Sequence, residues 1–478
     1  MSTTATITKQ AQGRRKPPLT PVSYLAGWLY VPTGQLPPLP LLRKQLTVIP
    51  KAAPGYEKPR PIPMLDETVP GYTGVPIEWG FDHLPADAKV RDRTTNGHPI
   101  TVERRPDPHH PDAPPGQDKF MDGMEAACRE HHTVLAEAGT GTGKTVAFLE
   151  TAARLGRTTI ICVHLKRLQK QWVNQIHRLL GVPLKDIGIV RGATCQYKGK
   201  RFVVAMMKTL AMRTFEPEFY RYFGLVGYDE VHKCGAFMLS RCLGQFHAGV
   251  KVALTATVKR RDGAEGVYLR YFGSAKVVSR QKPMPCTVRP VFYKAPGFMW
   301  GTTRQQLAKS VSRDKRRNRM LVNEIMKLYN DERQILAVGD HIDHIEDLIL
   351  LLLDRGVPFA HIGQFTDQHR REDGKRGKTS EVYLDWVMAT PPIVFATYGM
   401  VTEGIDMPRL DAGIDLVPRS DFKQLVGRIR RTRTGKREAL WVTPVDVSIR
   451  KFVSAYHSRL RDVADDKRVR VYDANQDS

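Results

Sequence analysis

The chain has 478 residues, with 74 lysines and arginines against 49 aspartates and glutamates, a formal net charge of +25 and a pI near 9.8. That length exceeds the needs of a peptide or a stapled miniprotein and suffices for about three domains of ordinary size. The charge points to a polyanionic partner, although a solvated basic surface is the plainer alternative.

The cysteines at 128, 162, 195, 234, 242 and 286 form neither a C-x-x-C pair nor a metal-ligand spacing, as reduced thiols in a cytosolic protein would. The N-terminus lacks the apolar stretch of a signal peptide. The longest conspicuous apolar run, Leu348 to Leu353, falls well short of the roughly 20 residues a membrane span needs. A soluble, cytoplasmic protein is expected, with no membrane partner.

Of 33 prolines, 21 precede residue 116, which rules out long helices there. Residues 1–20 read as a disordered basic tail. Residues 21–115 read as a small β-rich accessory domain, with pieces such as Leu46 to Ile49 between Pro and Gly turns. Its bases Arg60, Arg91, Arg93, Arg104 and Arg105 suit either a DNA-docking module or a structural cap with a solvated face.

Residues 116–290 carry the first motifs. Gln117 precedes a helix over 119–130, and its amide could read an adenine edge. A strand over Thr133 to Ala136 leads to Ala138, Gly139, Thr140, Gly141, Thr142, Gly143, Lys144 and Thr145, and then to a helix. Strand, glycine-rich loop and helix start are the context of a phosphate-binding loop. Converging N–H groups and the helix N-terminus would cradle a β-phosphate, Lys144 would reach the β- and γ-phosphates, and the Thr145 hydroxyl would ligate Mg²⁺. The general motif opens with glycine where Ala138 stands, and the form A-x-x-G-x-G-K-T resembles that of superfamily 2 helicases and translocases.

Repeated strand–helix units follow, as a doubly wound parallel sheet requires: a strand over Thr158 to Val163, a helix from Leu165, and a strand over Arg201 to Met206. Lys166, Arg167, Lys208 and Thr209 lie in the loops after these strands, where ligands collect, and are candidates for a nucleic-acid backbone. The strand from Leu225 ends in Asp229 and Glu230. Asp229 would hold the Mg²⁺ shell, and Glu230 would orient and deprotonate the attacking water. His232 is either a link between the nucleotide and nucleic-acid sites or a satisfied core histidine.

With Leu254-Thr255-Ala256-Thr257-Val258-Lys259-Arg260-Arg261-Asp262-Gly263 the motif series resembles superfamily 2 helicases, close to the XPB-like and phage UvsW-like branches. Val258 departs from the proline usual in those relatives. The resemblance implies that Thr255 and Thr257 couple hydrolysis to lobe movement and that Arg260 meets nucleic acid.

Residues 275–300 read as a connector broken by Pro283, Pro285, Pro290 and Pro296, and residues 300–478 as a second lobe. Arg313 opens a helix to about Tyr329, a strand runs from Gln334 to Gly339, and an amphipathic helix from Ile342 to Arg355. His341 and His344 lack a third ligand and read as surface histidines. Arg370 to Lys378 reads as a mobile basic loop. The strand Ile393 to Thr397 continues into Glu403-Gly404-Ile405-Asp406, which resembles the family segment touching both ligands. By that resemblance Thr397 faces nucleic acid, and Gly404 and Asp406 approach the nucleotide. Gln424-Leu425-Val426-Gly427-Arg428-Ile429-Arg430-Arg431 fits Q-x-x-G-R-x-x-R, and the family resemblance implies that Gln424 contacts the nucleotide and Arg428 and Arg431 the γ-phosphate, Arg431 as the finger. A helix over 449–461 and a strand over 468–472 close the lobe.

The expected fold is α/β: two tandem RecA-like lobes with doubly wound parallel sheets, ATP and Mg²⁺ between them, and the β-rich accessory domain in front. The resemblance implies an ATP-dependent DNA helicase of 3′-to-5′ polarity acting on branched, double- or single-stranded DNA in replication, recombination or repair. A duplex translocase of a restriction complex, an RNA helicase and a nucleic-acid scaffold with a dead ATPase are the alternatives.

Overall fold

The computed structural model describes residues 22–52, 59–85, 87–105, 117–139, 142–260, 262–273, 275–279, 283–294, 303–370, 376–402, 407–419, 422–431, 435–464 and 466–472. Thr140, Gly141, Gly404 and Asp406 lie outside them, as do residues 1–20 and the middle of the basic run after Arg370.

Four short strands, β1 (Ser23–Leu25), β2 (Leu29–Pro32), β3 (Tyr72–Val75) and β4 (Val90–Asp92), make the N-terminal sheet in the order β3-β2-β1-β4. Most of their apolar side chains join the core of the following lobe, while Tyr24, Ala26 and Tyr30 make a small cluster of their own. Leu25, Leu29, Val31, Leu42, Leu46, Val75 and Ile77 belong to one cluster with Tyr228, Tyr268, Tyr271 and Phe272 of the following lobe. At the seam Gly27 approaches the Gly244 carbonyl so closely that a Cβ would lie 1.8 Å from the oxygen. The Tyr271 hydroxyl donates to the Gly27 carbonyl, and buried Lys251 donates to the carbonyls of Ala26 (3.3 Å) and Ala248 (2.8 Å).

The first lobe is an eight-stranded sheet of β5 (Thr133–Glu137), β6 (Thr159–Val163), β7 (Ile187–Arg191), β8 (Thr194–Cys195), β9 (Phe202–Met206), β10 (Leu225–Asp229), β11 (Val250–Thr255) and β12 (Ala275–Val278). Its order is β8-β7-β9-β6-β10-β11-β5-β12, and every pairing except β7 with β8 is parallel. Central strands such as Leu225–Asp229 are buried at every residue, because helices or the N-terminal region cover both faces. Since β5, β11 and β10 are neighbours, Ala138, Thr255 and Asp229 meet at one carboxyl edge.

The second lobe contains β13 (Cys286–Tyr293), β14 (Ile335–Gly339), β15 (Ile362–Phe365), β16 (Gln368–Arg370), β17 (Arg376–Lys378), β18 (Ile393–Thr397), β19 (Ala412–Asp415), β20 (Ala439–Asp446) and β21 (Val469–Val471). Seven form a parallel sheet in the order β15-β18-β14-β19-β20-β13-β21.

Three expectations change here. The proline-broken connector contains β13, whose eight residues all pair with β20, Pro290 with Thr443. Among the described residues the other edge of β13 has no ladder beyond Val288, so there the missing N–H of Pro290 costs no sheet hydrogen bond. His344 is a core histidine rather than a surface one: its helix turns it toward Asn318, whose side-chain oxygen lies 2.9 Å from Nε2, and burial pushes it down to about 3. The ends of the basic run pair as the hairpin β16–β17, and Arg376 is anchored on Asp343 and Glu346. All six cysteines are free thiols and five are buried.

Candidate functional site

The loop after β5 is built from its backbone. Ala138 N–H donates to the Thr255 carbonyl (3.0 Å), and the Thr142 hydroxyl donates to the Gly139 carbonyl (2.7 Å). Gly143 adopts φ +83° at the N-cap of the Lys144–Leu155 helix, and a Cβ there would sit 2.3 Å from Nε2 of Gln117. Gln117 is buried, its amide against the loop. The Lys144 amine donates to the carbonyls of Ala138 (2.9 Å) and Gly139 (3.4 Å). Thr145 follows in the first helical turn, partly buried.

Beside this loop β10 delivers the two carboxylates. Trp172 donates its indole N–H to Oδ2 of Asp229 at 2.8 Å. Glu230 has φ +50°, one of two non-glycine residues with positive φ among those described, so the chain reverses sharply behind Asp229. Burial, reinforced by Glu230, raises Asp229 above the usual carboxylate range. Burial also opposes ionisation of Glu230, but Lys144, His232 and Arg428 together hold it below that range. Burial lowers Lys144, with Glu230 and Asp229 favouring its charge and Arg428 and Arg431 opposing it.

A relay runs on from Glu230. His232 Nδ1 lies 3.2 Å from Glu230 Oε2 and 3.2 Å from the Thr255 hydroxyl. That hydroxyl donates to the Thr257 carbonyl (2.9 Å) and accepts from the Thr257 N–H (3.1 Å). His164, half-buried and pushed down to about 4 by that burial, faces Lys233, Glu230 and His232 behind the relay.

The second lobe closes the site. The Lys423–Ile429 helix and the turn after it bring Arg428 and Arg431 into the electrostatic range of Lys144. Burial lowers Arg428, opposed by Glu230, and lowers Arg431 to about 10. Gln424 lies in the same helix. The structure therefore gathers Gln117, Ala138, Gly139, Thr142 to Thr145, Asp229, Glu230, His232, Thr255, Thr257, Arg428 and Arg431 at one cleft.

The bases expected at nucleic acid are more scattered. Lys208 is exposed on the short Met207–Met212 helix, while buried Thr209 accepts the Gly192 N–H at 3.0 Å. Thr397 ends β18, partly buried. Lys166 faces Glu381 of the second lobe (3.5 Å), and Arg167 donates to the Met400 carbonyl (3.0 Å) with its guanidinium over Phe365. Arg260 is bidentate to Asp262 and donates to the His232 carbonyl, so its fork braces the turn behind the relay. Trp172 carried no motif signal and was missed; its only cue was a place on the helix that opens with Lys166 and Arg167.

Two parallel-sheet lobes closing on a glycine loop, paired carboxylates and two arginines define a two-lobed P-loop ATPase. Residues 112–260 match the family described as type III restriction enzyme, res subunit. A protein of Acanthamoeba polyphaga mimivirus named "Putative ATP-dependent RNA helicase L396" is 26% identical over 436 residues, 87% of this chain and 80% of that one. "Probable helicase D10" of Escherichia phage T5 is 24% identical over 318 residues, 65% of this chain and 67% of its own. The solved DEAD-box helicase Mss116, bound to single-stranded RNA, shares the fold at a TM-score of 0.50 and 16% identity, over 76% of each chain. The chain is thus similar to helicases in sequence over most of its length and shares the fold of tandem RecA-like lobes, as an ATPase that depends on nucleic acid would. No described helix is long and apolar enough to cross a membrane.

Proposed function

We propose that this chain couples ATP hydrolysis to movement along DNA, with forks and four-way junctions as its substrates. The observation that carries the hydrolytic half is the approach of Arg428 and Arg431, from the second lobe, to Lys144 of the first, with Arg428 also reaching Glu230. In this reading Lys144 and the loop N–H groups hold the phosphates, and ionised Glu230 takes the proton of the attacking water. Arg431, helped by Arg428, neutralises charge spreading over the transferring oxygens. Gln117 reads the adenine, and Gly404, Asp406 and Gln424 complete the nucleotide's surroundings. Thr145 and Asp229 offer hard oxygen donors that fit Mg²⁺. Among the described residues no group of three or more His, Cys, Asp or Glu could hold a metal, which suits an ion held chiefly by phosphate and water. That ion would draw charge from the phosphates.

The chain from Glu230 through His232 and Thr255 to Thr257 supports coupling, because it joins the hydrolytic carboxylate to a turn at the lobe edge. Lys208, Thr209 and Thr397 grip the backbone, and Lys166 and Arg167 exchange their second-lobe contacts for phosphates when the lobes part. Arg260 is a brace. A second reading, movement on RNA, is favoured by the name of the mimivirus relative. Steady-state ATPase rates with single-stranded DNA, blunt duplex, a four-way junction and RNA decide between them. Strongest stimulation by the junction, with its arms separated, supports the proposal; stimulation by RNA alone overturns the DNA assignment.

A further inference from the structure

Four of the five N-terminal bases have distinct settings. Arg93 lies over the Tyr24 ring, Arg104 pairs with Glu150 at 2.7 Å, and Arg105 packs across Gly181. Arg60 instead reaches the first lobe, its guanidinium 5.9 Å from the centre of the Phe237 ring. Arg241 lies over the same ring at 5.0 Å. Both arginines are exposed, Phe237 is partly buried, and neither arginine pairs with a carboxylate among the described residues.

The position of this cluster matters as much as its chemistry. Phe237 follows the 3-10 turn Val231–Gly235 that carries His232, so it stands at the rim of the hydrolytic edge. The next turn, Leu239–Cys242, packs against the Met207–Met212 helix that exposes Lys208. The Gln245 amide ties these two elements, donating to the carbonyls of Leu210 and Arg241 at 2.9 Å each. Met212 and Met238 are 64% and 43% exposed on them. The result is a surface of cations and apolar side chains from Lys208 to Arg60.

Such a mixture is what single-strand grooves use, cations for phosphates and flat or apolar groups for bases. A guanidinium laid on an aromatic ring is held in one orientation with its N–H edge outward, so less freedom is lost when a phosphate docks. We propose that Arg60 and Arg241, pinned on Phe237, form a phosphodiester-binding site that continues the nucleic-acid path from Lys208 onto the N-terminal region. The ligand is a single strand, and the site rests on the function proposed above.

The test is fluorescence anisotropy with labelled oligothymidine and oligouridine over a series of KCl concentrations. It compares the unaltered protein, the Arg60→Ala/Arg241→Ala double variant and Phe237→Leu. Two lost phosphate contacts should flatten the slope of log K against log salt by about 1.4 and weaken binding on the order of tenfold at low salt. Phe237→Leu keeps an apolar side chain and should weaken binding about threefold through loss of the ring alone. Equal effects on both oligonucleotides fit phosphate recognition, whereas an effect on one alone overturns it. Tight binding by the unaltered protein with slope and affinity unchanged in the double variant overturns this site and leaves the proposed function standing. Failure of the unaltered protein to bind either strand overturns both.

Discussion

Trp172 donates its indole N–H to the Asp229 carboxylate at 2.8 Å, from a helix that otherwise faces the sheet and the second lobe. The bond fixes one carboxylate oxygen of the group that the proposed function sets beside the metal. It also favours the ionised form of a group that burial pushes toward neutrality. Trp172→Phe keeps the ring and removes the donor. Hydrogen bonds to charged groups contribute about 1.5–3 kcal/mol. The variant should hydrolyse ATP on the order of tenfold more slowly, need more Mg²⁺ for half-maximal rate, and unfold as one cooperative unit. Rates measured across a Mg²⁺ titration check this, and an unchanged titration would remove Trp172 from the site.

Lys144→Ala should abolish ATP hydrolysis while single-strand binding persists, because the lysine is held by the carbonyls of its own loop whereas Lys208 is exposed. Arg431→Ala should lower kcat by about 10³ or more, as loss of an arginine finger does, with less effect on nucleotide affinity. Turnover and nucleotide binding measured on the same preparation separate the two roles.

The N-terminal region is built into the core of the first lobe rather than hung upon it. Deleting residues 1–110 should therefore collapse that lobe and remove ATPase activity together with all nucleic-acid binding, instead of selectively weakening junction binding. A milder probe is Leu29→Ala, at a fully buried position in the shared cluster. It should lower stability by about 2–5 kcal/mol. Thermal unfolding with and without nucleotide reads the loss, and a retained Tm would mean the seam contributes little.

Lys251 predicts a pH dependence. Burial lowers its folded value to about 7, against roughly 10.4 for an unfolded lysine. Between those values the unfolded chain binds more protons, so stability rises with pH across that window and is flat below it. In Lys251→Met the rise should disappear. Subtracting denaturation free energies of the variant from those of the parent at pH 6 to 10 isolates the effect, because other titrating groups cancel. A difference that does not change with pH would show that the lysine stays charged at the seam.

The mixed outcome among the expected nucleic-acid contacts has a physical origin. Lys166, Arg167 and Arg260 stand in motif positions, but an arginine or lysine takes whatever carboxylate or carbonyl the tertiary arrangement sets beside it. Here those are Glu381, Met400 and Asp262. His344 was misjudged for a similar reason: helical spacing says which residues share a face, while only the neighbouring helix says which face is covered.

The order and chemistry of the hydrolytic motifs were determined by the sequence alone. A phosphate loop depends on glycine backbone geometry over a few consecutive residues, and a buried strand ending in two carboxylates is equally local. The α/β fold followed from strands and helices alternating along the chain. Only the tertiary structure decided that Trp172 holds Asp229, that Pro290 lies within a strand, that most apolar side chains of the N-terminal sheet join the first lobe's core, and that Arg60 and Arg241 share one ring. Each is a contact between distant segments, set by how two lobes and a covering sheet exclude water together, and periodicity along the chain does not encode it.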